Sequence, residues 1–216
     1  MTSENTTKPL YLLFDFDGTI ADSFLLGLSI VNELSARYGF PAFTQETLNE
    51  WRGLPALTIL KNLHIPFYKL PLFIHDIKKS MHAKLSELRP IEGIQAVLHD
   101  FKARNIPMAL LTSNSQDNVI PFLDKYDINV FDWLDCDVGL FTKALHIRKQ
   151  VHKRDLAAFN CIYIGDETRD ISAARESSIP VISVCWGLHP KSLLAKHHPD
   201  YLIDTPDELK NTIISL

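Results

Sequence analysis

The feature of this sequence that most constrains its fold is a set of short, compact apolar segments. The first runs from Leu10 to Phe14 and stops at Asp15. Similar segments recur at residues 108–111, 161–165 and 180–185. Short apolar runs without alternation are typical of strands that are buried on both faces. The four segments therefore predict a parallel sheet covered by helices.

Amphipathic segments of helical length lie between the later apolar runs. Residues 93–102 place their apolar side chains on one face, and Ser115 is predicted to cap the start of a second helix. Thr205 and Glu208 have the spacing of a capping box, with Pro206 at the first helical position. Because strands and helices alternate, we predict a Rossmann-like, doubly wound α/β fold.

One long segment interrupts this alternation after the first strand. From Phe24 to Leu88 the apolar residues follow a helical period, and no strand pattern is present. A segment of this length does not fit a simple connection between two strands. We therefore predict a catalytic core formed by residues 1–22 and 89–216, with a small helical cap, residues 23–88, inserted after the first strand.

Four carboxylates follow the predicted strands at the points where the strands end. Asp15 and Asp17 follow the first strand, and Asp166 and Asp170 follow the strand that begins near residue 161. In open α/β sheets, ligands bind beyond the carboxyl ends of the strands, so these side chains are expected at one rim. Crowded carboxylates repel each other, and a hard divalent cation relieves that repulsion. We predict a magnesium site formed by these four residues.

The spacing of the acids also suggests chemistry, although each signal has a structural alternative. Asp15 and Asp17 leave an extended chain on the same side, so one could attack a substrate while the other ligates the metal or transfers a proton. Asp17 and Gly18 could instead form an ordinary turn. Asp166 and Asp170 could instead cap the helix that follows them.

Hydroxyl groups and one lysine provide candidate contacts for an anion. Thr112, Ser113 and Asn114 follow the second apolar run, where hydroxyl and backbone N–H groups can bind a phosphate. Lys143 is the best-placed candidate for a fixed positive charge. The alternatives are a plain loop at residues 112–114 and a solvated helical lysine.

These motifs, in this order, resemble the haloacid dehalogenase superfamily of phosphohydrolases. The resemblance rests on DFDGT, a helical insert, ALLTSN, a lysine and IGDETRD, and it covers nearly the whole chain. The chain is most similar to the phosphoglycolate phosphatase-like branch, and its insert resembles a C1-type cap. The second aspartate of DFDGT indicates phosphatase chemistry, since members that cleave carbon–halogen bonds lack it.

The resemblance implies a role for each site residue. Asp15 would be the nucleophile that forms an aspartyl-phosphate, and Asp17 would be the general acid and base. Thr112 would bind phosphate, although the neighbouring Ser113 has a hydroxyl that could do so instead. Lys143 matches the lysine of the family, Asp166 matches its magnesium ligand, and Asp170 matches the second acid of the same motif.

A segment of the predicted cap adds one candidate specificity residue. Residues 51–55 lie between two predicted helices, where similar proteins place a substrate-specificity loop. Arg52 in this segment could pair with an anionic end of the substrate. The alternative is an ordinary surface arginine.

The composition narrows the possible partners. Lys plus Arg is 22 and Asp plus Glu is 26, which gives a net charge of −4 and no broad positive field for nucleic acid or an anionic membrane. No apolar stretch approaches the roughly 20 residues of a membrane helix. Cys136, Cys161 and Cys185 are far apart and are interpreted as reduced thiols. The polar first nine residues contain no secretion signal, so we expect a cytoplasmic protein.

The sequence thus predicts a magnesium-dependent phosphomonoester hydrolase that acts on a small phosphorylated metabolite. One alternative is a phosphomutase, which would use the same residues. Another is a phospho-accepting or binding protein of this fold that does not turn over. The sequence leaves the particular substrate open, and it leaves the oligomeric state open between a monomer and a weak dimer.

Overall fold

A parallel sheet forms the centre of the molecule. The computed structural model of the chain describes residues 8–44, 47, 51, 54, 56–139 and 142–216. In this part of the chain six parallel strands are arranged in the order β3-β2-β1-β4-β5-β6. The strands are β1 (Leu10–Phe14), β2 (Met108–Leu111), β3 (Trp133–Asp135), β4 (Asn160–Gly165), β5 (Val181–Val184) and β6 (Tyr201–Ile203).

The four apolar runs form the central strands, as predicted, whereas the two edge strands escaped the sequence analysis. β3 and β6 have three residues each and are only partly buried. An edge strand has a neighbour on one side only, so it does not need a long apolar run. This explains why neither strand is marked by an apolar run as long as those of the central strands.

Helices cover both faces of the sheet. They are α4 (Ile94–Ala103), α5 (Gln116–Lys125), α6 (Lys143–Lys153), α7 (Thr168–Glu176), α8 (Lys191–Lys196) and α9 (Pro206–Ser215). Along β1, Leu12 and Phe14 pack on one face against α4, α5 and α9, while Tyr11 and Leu13 pack on the other against α6, α7 and α8. The prediction of a doubly wound α/β fold is therefore confirmed.

The segment between β1 and α4 forms the helical insert. Its described residues contain no strand; they form α1 (Phe24–Tyr38), α2 (Ala56–Asn62), α3 (Leu70–Ala83) and two short 3₁₀ turns at Phe67–Lys69 and Leu85–Glu87. The insert has an apolar cluster of its own, in which Phe73 packs edge-on against Tyr38 and Phe40. We call this insert the cap.

The two connections between cap and core lie side by side. Ala21 pairs with Pro90 in an antiparallel bridge. The N–H of Asp22 donates to the carbonyl of Arg89, and the N–H of Ile91 donates to the carbonyl of Ile20, both at 2.8 Å. The chain therefore leaves and re-enters the core at one place, close to the end of β1.

The sheet order brings the ends of β1, β2 and β4 together. Phe14 is level with Leu110 of β2 and with Ile164 of β4. The connections from β1 and β4 leave in opposite directions across the sheet, which creates a crevice at their carboxyl ends. Asp15, Thr112 and Asp166 all follow these strand ends.

Two expectations about the class of protein can be compared with the structure. Within the described residues, no helix has both the length and the apolar character needed to cross a membrane. All three cysteines are described, and they are free thiols.

Candidate active site

Asp15 lies at the centre of the crevice, directly after β1, and is almost completely buried. Its Oδ1 accepts the N–H of Phe16 at 2.8 Å, and its Oδ2 accepts a hydrogen bond from Nζ of Lys143 at 2.7 Å. Burial raises the pKa of Asp15 to about 6, although the positive charge of Lys143 opposes this shift. The side chain is thus fixed with one oxygen against a cation.

Lys143 is the first residue of α6, and its side chain is only 3% exposed. Its Nζ lies 2.7 Å from Oδ2 of Asp15 and 2.6 Å from Oδ1 of Asp170. Burial by itself would lower the pKa of Lys143, but the two carboxylates outweigh burial and raise it well above the usual value. The lysine therefore stays charged at neutral pH. The alternative of a solvated helical lysine does not hold.

Asp170 holds Lys143 from the other side and also caps a helix. Its Oδ2 accepts the N–H of Glu167, and the two side chains form a capping box at the start of α7. A side chain at Gly165 would place a Cβ 2.5 Å from this same oxygen. Burial works against ionisation, yet Lys143 and Arg169 lower the pKa of Asp170. Asp170 therefore caps α7 and also holds the side chain of Lys143.

Asp166 is fully buried at the end of β4, and the surrounding chain fits closely around its carboxylate. The hydroxyl of Thr19 donates to Oδ1 at 3.1 Å, and the N–H of Leu188 donates to Oδ2 at 2.7 Å. A Cβ at Gly18, where φ is +74°, would lie 2.1 Å from Oδ2, and one at Gly187 would lie 2.3 Å from it. Both positions require glycine for the carboxylate to keep this orientation.

The electrostatics of this cluster favour a bound cation. Burial, and then the charges of neighbouring carboxylates, raise the pKa of Asp166 well above its usual value. Asp15, Asp166 and Asp170 each offer one oxygen, and these three atoms lie within 4.8 Å of one another. Hard oxygen donors that are destabilised by their own crowding fit a divalent cation such as Mg²⁺.

The fourth predicted ligand, Asp17, is not part of that group. Both of its carboxylate oxygens accept hydrogen bonds from Nδ2 of Asn114, at 3.2 and 3.0 Å. Burial raises the pKa of Asp17, while hydrogen bonds from Ser23 and Asn114 lower it to a smaller extent. The structure thus places Asp17 at the same rim as Asp15 but with a separate set of partners.

The contact between Asp17 and Asn114 continues into the cap through a second asparagine. Oδ1 of Asn114 accepts a hydrogen bond from Nδ2 of Asn118, at 2.9 Å. Oδ1 of Asn118 lies 2.9 Å from Nδ1 of His82, near the end of α3. Since this oxygen can only accept, His82 is the donor. A chain of side-chain amides therefore connects Asp17 to the cap.

Sequence reasoning missed Asn118 and His82. Asn118 follows Asn114 by four residues, a spacing that places the two side chains near each other at the start of a helix. That spacing was the available signal for Asn118. For His82 the sequence contains no such signal, because its contact joins residues 36 positions apart in the chain.

The hydroxyls of Thr112 and Ser113 have different surroundings. Thr112 is fully buried, and its Oγ1 accepts the N–H of Asn114 at 3.0 Å. Ser113 is partly exposed and, together with Asn114, lines a cavity between cap and core. Both residues lie at the crevice, as the end of β2 predicts.

A second cation, Arg169, was also missed, although it stands within the GDETRD motif. Its Nε and Nη2 donate to Oε1 of Glu167, at 2.8 and 2.6 Å. Its Nη1 is buried and has no hydrogen-bond partner among the described residues. Burial disfavours the charged form, but Glu167, Asp170 and Asp15 outweigh it and raise the pKa of Arg169 well above its usual value.

Arg52, the candidate specificity residue of the cap, lies outside the described residues. Its predicted contact with an anionic end of the substrate stays a prediction.

This fold and this site define a class of protein: an α/β enzyme core with an acidic centre, covered by a helical cap. Within that class the chain belongs to the family of haloacid dehalogenase-like hydrolases, whose family model matches residues 12–184. The predicted membership of the haloacid dehalogenase superfamily is therefore confirmed, and with it the prediction of an enzyme.

Curated relatives and solved structures agree with this assignment. The chain is similar to a phosphoglycolate phosphatase from Synechococcus elongatus, with 24% identity over 95% of this chain and 97% of the relative. It is 28% identical to a phosphoglycolate phosphatase from Agrobacterium fabrum over 92% of this chain and 91% of the relative. A predicted phosphatase from Clostridium acetobutylicum has the same fold, with a TM-score of 0.84, 23% identity and coverage of 97% and 100%.

Proposed function

We propose that this chain is a magnesium-dependent phosphatase that hydrolyses small phosphomonoesters through an aspartyl-phosphate. The observation that carries the proposal is the buried Asp15 carboxylate held by Lys143, with the Asp17 carboxylate at the same rim. The curated relatives named phosphoglycolate phosphatases support the hydrolysis of a phosphomonoester. The absence of a broad positive field fits a small metabolite better than a nucleic acid.

In the first step, a carboxylate oxygen of Asp15 uses a lone pair to form a bond to phosphorus. The bond between phosphorus and the ester oxygen breaks, and Asp17 donates its proton to that leaving oxygen. The products are an alcohol, an aspartyl-phosphate on Asp15 and an ionised Asp17. The raised pKa of Asp17 favours the protonated form that this step needs.

In the second step, Asp17 removes a proton from a water molecule that attacks the phosphorus. The bond between phosphorus and Asp15 breaks, inorganic phosphate leaves, and both carboxylates return to their starting states. Splitting the hydrolysis into two displacements lets the same two aspartates serve both halves of the cycle.

Positive charge at the crevice supports both steps. Lys143, placed by Asp170, stabilises negative charge on the phosphoryl oxygens next to Asp15. Asp15, Asp166 and Asp170 would hold Mg²⁺, which offsets phosphoryl charge when it is bound. Thr112, Ser113 and Asn114 would orient the phosphoryl group from the end of β2.

The test is a steady-state assay of phosphate release from a panel of phosphomonoesters, with Mg²⁺ or with EDTA. The proposal predicts many phosphates released per chain, equal in number to the alcohol formed, and no release by the Asp15→Asn variant. A phosphomutase would return the phosphoryl group to a sugar, and a phospho-accepting switch would stop after one phosphoryl group per chain. Either result would contradict the proposal.

A further inference from the structure

The space for the leaving group of the substrate lies between the cap and the carboxyl edge of the sheet. This cavity has a volume of about 630 Å³. Asp17, Gly18 and Asp166 line it on the core side, so it opens directly onto the candidate catalytic carboxylates. The volume falls within the roughly 300–1,000 Å³ of sites that enclose drug-sized ligands. Glycolate would fill a small part of it.

The cap side of this cavity is apolar. The three described cap helices contribute to it: Leu28 and Val31 come from α1, Leu60 comes from α2, and Ile74 and Ile77 come from α3. The ring of Phe73 completes this wall. Such a surface stabilises a ligand by removing apolar groups of the ligand from water.

The charges of the described residues around the cavity do not suit an anionic leaving group. Among the described residues that line it, Lys78 is the one cation, and its Nζ is already paired with Asp137 at 3.0 Å. Lys143 is paired with two carboxylates, and Arg169, whose Nε and Nη2 donate to Glu167, is not among the described lining residues. The other described ionisable groups of the lining are Asp17, Asp166 and Glu167, which are acidic. A carboxylate in this space would be desolvated and would face like charges.

We infer that the preferred substrates are phosphomonoesters of apolar alcohols, aliphatic or aromatic, rather than small carboxylate-bearing esters such as 2-phosphoglycolate. This inference rests on the proposed phosphatase function, because it places the leaving group in the cavity next to Asp17. It departs from the substrate named for the curated relatives.

The test compares kcat/KM along a series of primary alkyl phosphates, from ethyl through butyl and hexyl to octyl. These esters share one chemistry of bond breaking, and they produce the same aspartyl-phosphate. Differences in kcat/KM along the series therefore report how the cavity binds the alkyl chain in the transition state. We expect about a fourfold rise per added methylene until the cavity is full, which corresponds to about 0.8 kcal/mol per methylene.

A matched anionic ester separates size from charge. Hexyl phosphate is compared with the ester that carries a carboxylate at the far end of the same chain. We expect the carboxylate to lower kcat/KM at least tenfold, and we expect 2-phosphoglycolate to be a poorer substrate than hexyl phosphate. A flat chain-length series, or a preference for the carboxylate-bearing esters, would overturn the inference.

The same assays distinguish a failure of the phosphatase proposal from a failure of the apolar preference. If p-nitrophenyl phosphate and all the alkyl phosphates are inert in the presence of Mg²⁺, the phosphatase proposal itself fails. If all are hydrolysed at similar efficiency, the phosphatase proposal stands and the apolar preference fails.

Ile74→Gln tests the apolar wall directly. Ile74 lines the cavity but is 37% exposed, so its replacement does not open the cap cluster. Leu72, on the same helix and 49% exposed, does not line the cavity and serves as the control as Leu72→Gln. We expect Ile74→Gln to lower kcat/KM severalfold more for hexyl phosphate than for ethyl phosphate, and Leu72→Gln to change neither. Equal losses on both esters, or no loss with Ile74→Gln, would contradict the assignment of this wall.

Discussion

Replacing Lys143 with methionine removes the cation that, among the described residues, contacts both Asp15 and Asp170. The side chain is 3% exposed and lies 2.7 and 2.6 Å from the two carboxylates. Removing one partner of a buried ion pair costs about 3–5 kcal/mol, because it leaves a desolvated charge without compensation. Since Lys143 has two such partners, we expect Lys143→Met to lower the free energy of unfolding by the upper part of that range at pH 7.5.

The loss should depend on pH in a direction that the structure fixes. In the native protein Lys143 and Arg169 lower the pKa of Asp170, so this group stabilises the fold above its unfolded pKa and loses that contribution in acid. Without Lys143 the pKa of both carboxyls rises, and the folded variant then binds protons more readily than the unfolded chain. The variant is therefore penalised most at neutral pH. The penalty should begin to shrink as pH falls through the raised pKa values of the variant toward about 6, the pKa of Asp15 in the native protein, and it should shrink further in acid because the native pKa of Asp170 is lowered.

Urea denaturation in EDTA, followed by circular dichroism at pH 7.5 and at pH 5, measures both effects. Lys149→Met is the matched control, because Lys149 lies on the same helix and is exposed. We expect the control to change the free energy of unfolding by no more than about 0.5 kcal/mol. A loss of unfolding free energy below about 1 kcal/mol for Lys143→Met at pH 7.5, or an equal loss at the two pH values, would refute this account of the contacts among Asp15, Lys143 and Asp170.

Two further predictions concern the metal and the amide chain. EDTA should eliminate activity and Mg²⁺ should restore it, and full activity in EDTA would contradict this. Mg²⁺ should also raise Tm more at pH 7.5 than at pH 5, because protonated Asp15, with its pKa of about 6, competes with the cation. Asn118→Leu should shift the pH profile of kcat through Asp17 while the fold is retained, and an unchanged profile would show that Asn118 is only structural.

Much of the core could be predicted because its signals are local. A strand buried on both faces must be apolar along its whole length, and this requirement revealed β1, β2, β4 and β5. The residues that follow these strands must meet at one rim, so the sequence alone predicts that Asp15 and Asp166 lie close together. The short edge strands carry no such requirement and were missed.

The details of capping depend on neighbours that the local pattern does not include. At the last helix, Thr205 accepts the N–H of Glu208, as predicted. The Glu208 carboxylate, however, accepts the N–H of Asp204 rather than that of Thr205. The predicted capping box is therefore only half formed, because one residue further back offers a competing donor.

The parts of the site that the sequence did not reveal depend on contacts between distant segments. The contact of His82 with Asn118 joins the cap to the core. The separation of Asp17 from the carboxylate cluster follows from the position of Asn114. The apolar wall over the crevice is assembled from three helices, so no single segment of the sequence carries its signal.

The central claim is that Asp15 carries the phosphoryl group during the reaction. The most direct measurement uses the Asp17→Asn variant with p-nitrophenyl phosphate, whose leaving group needs little help from an acid, while water activation by Asp17 is lost. After an acid quench, peptide mass spectrometry should find one phosphoryl group on the peptide that contains Asp15, and on no peptide when Asp15→Asn is added to the variant. A variant that consumes the ester while Asp15 stays unmodified would contradict the account.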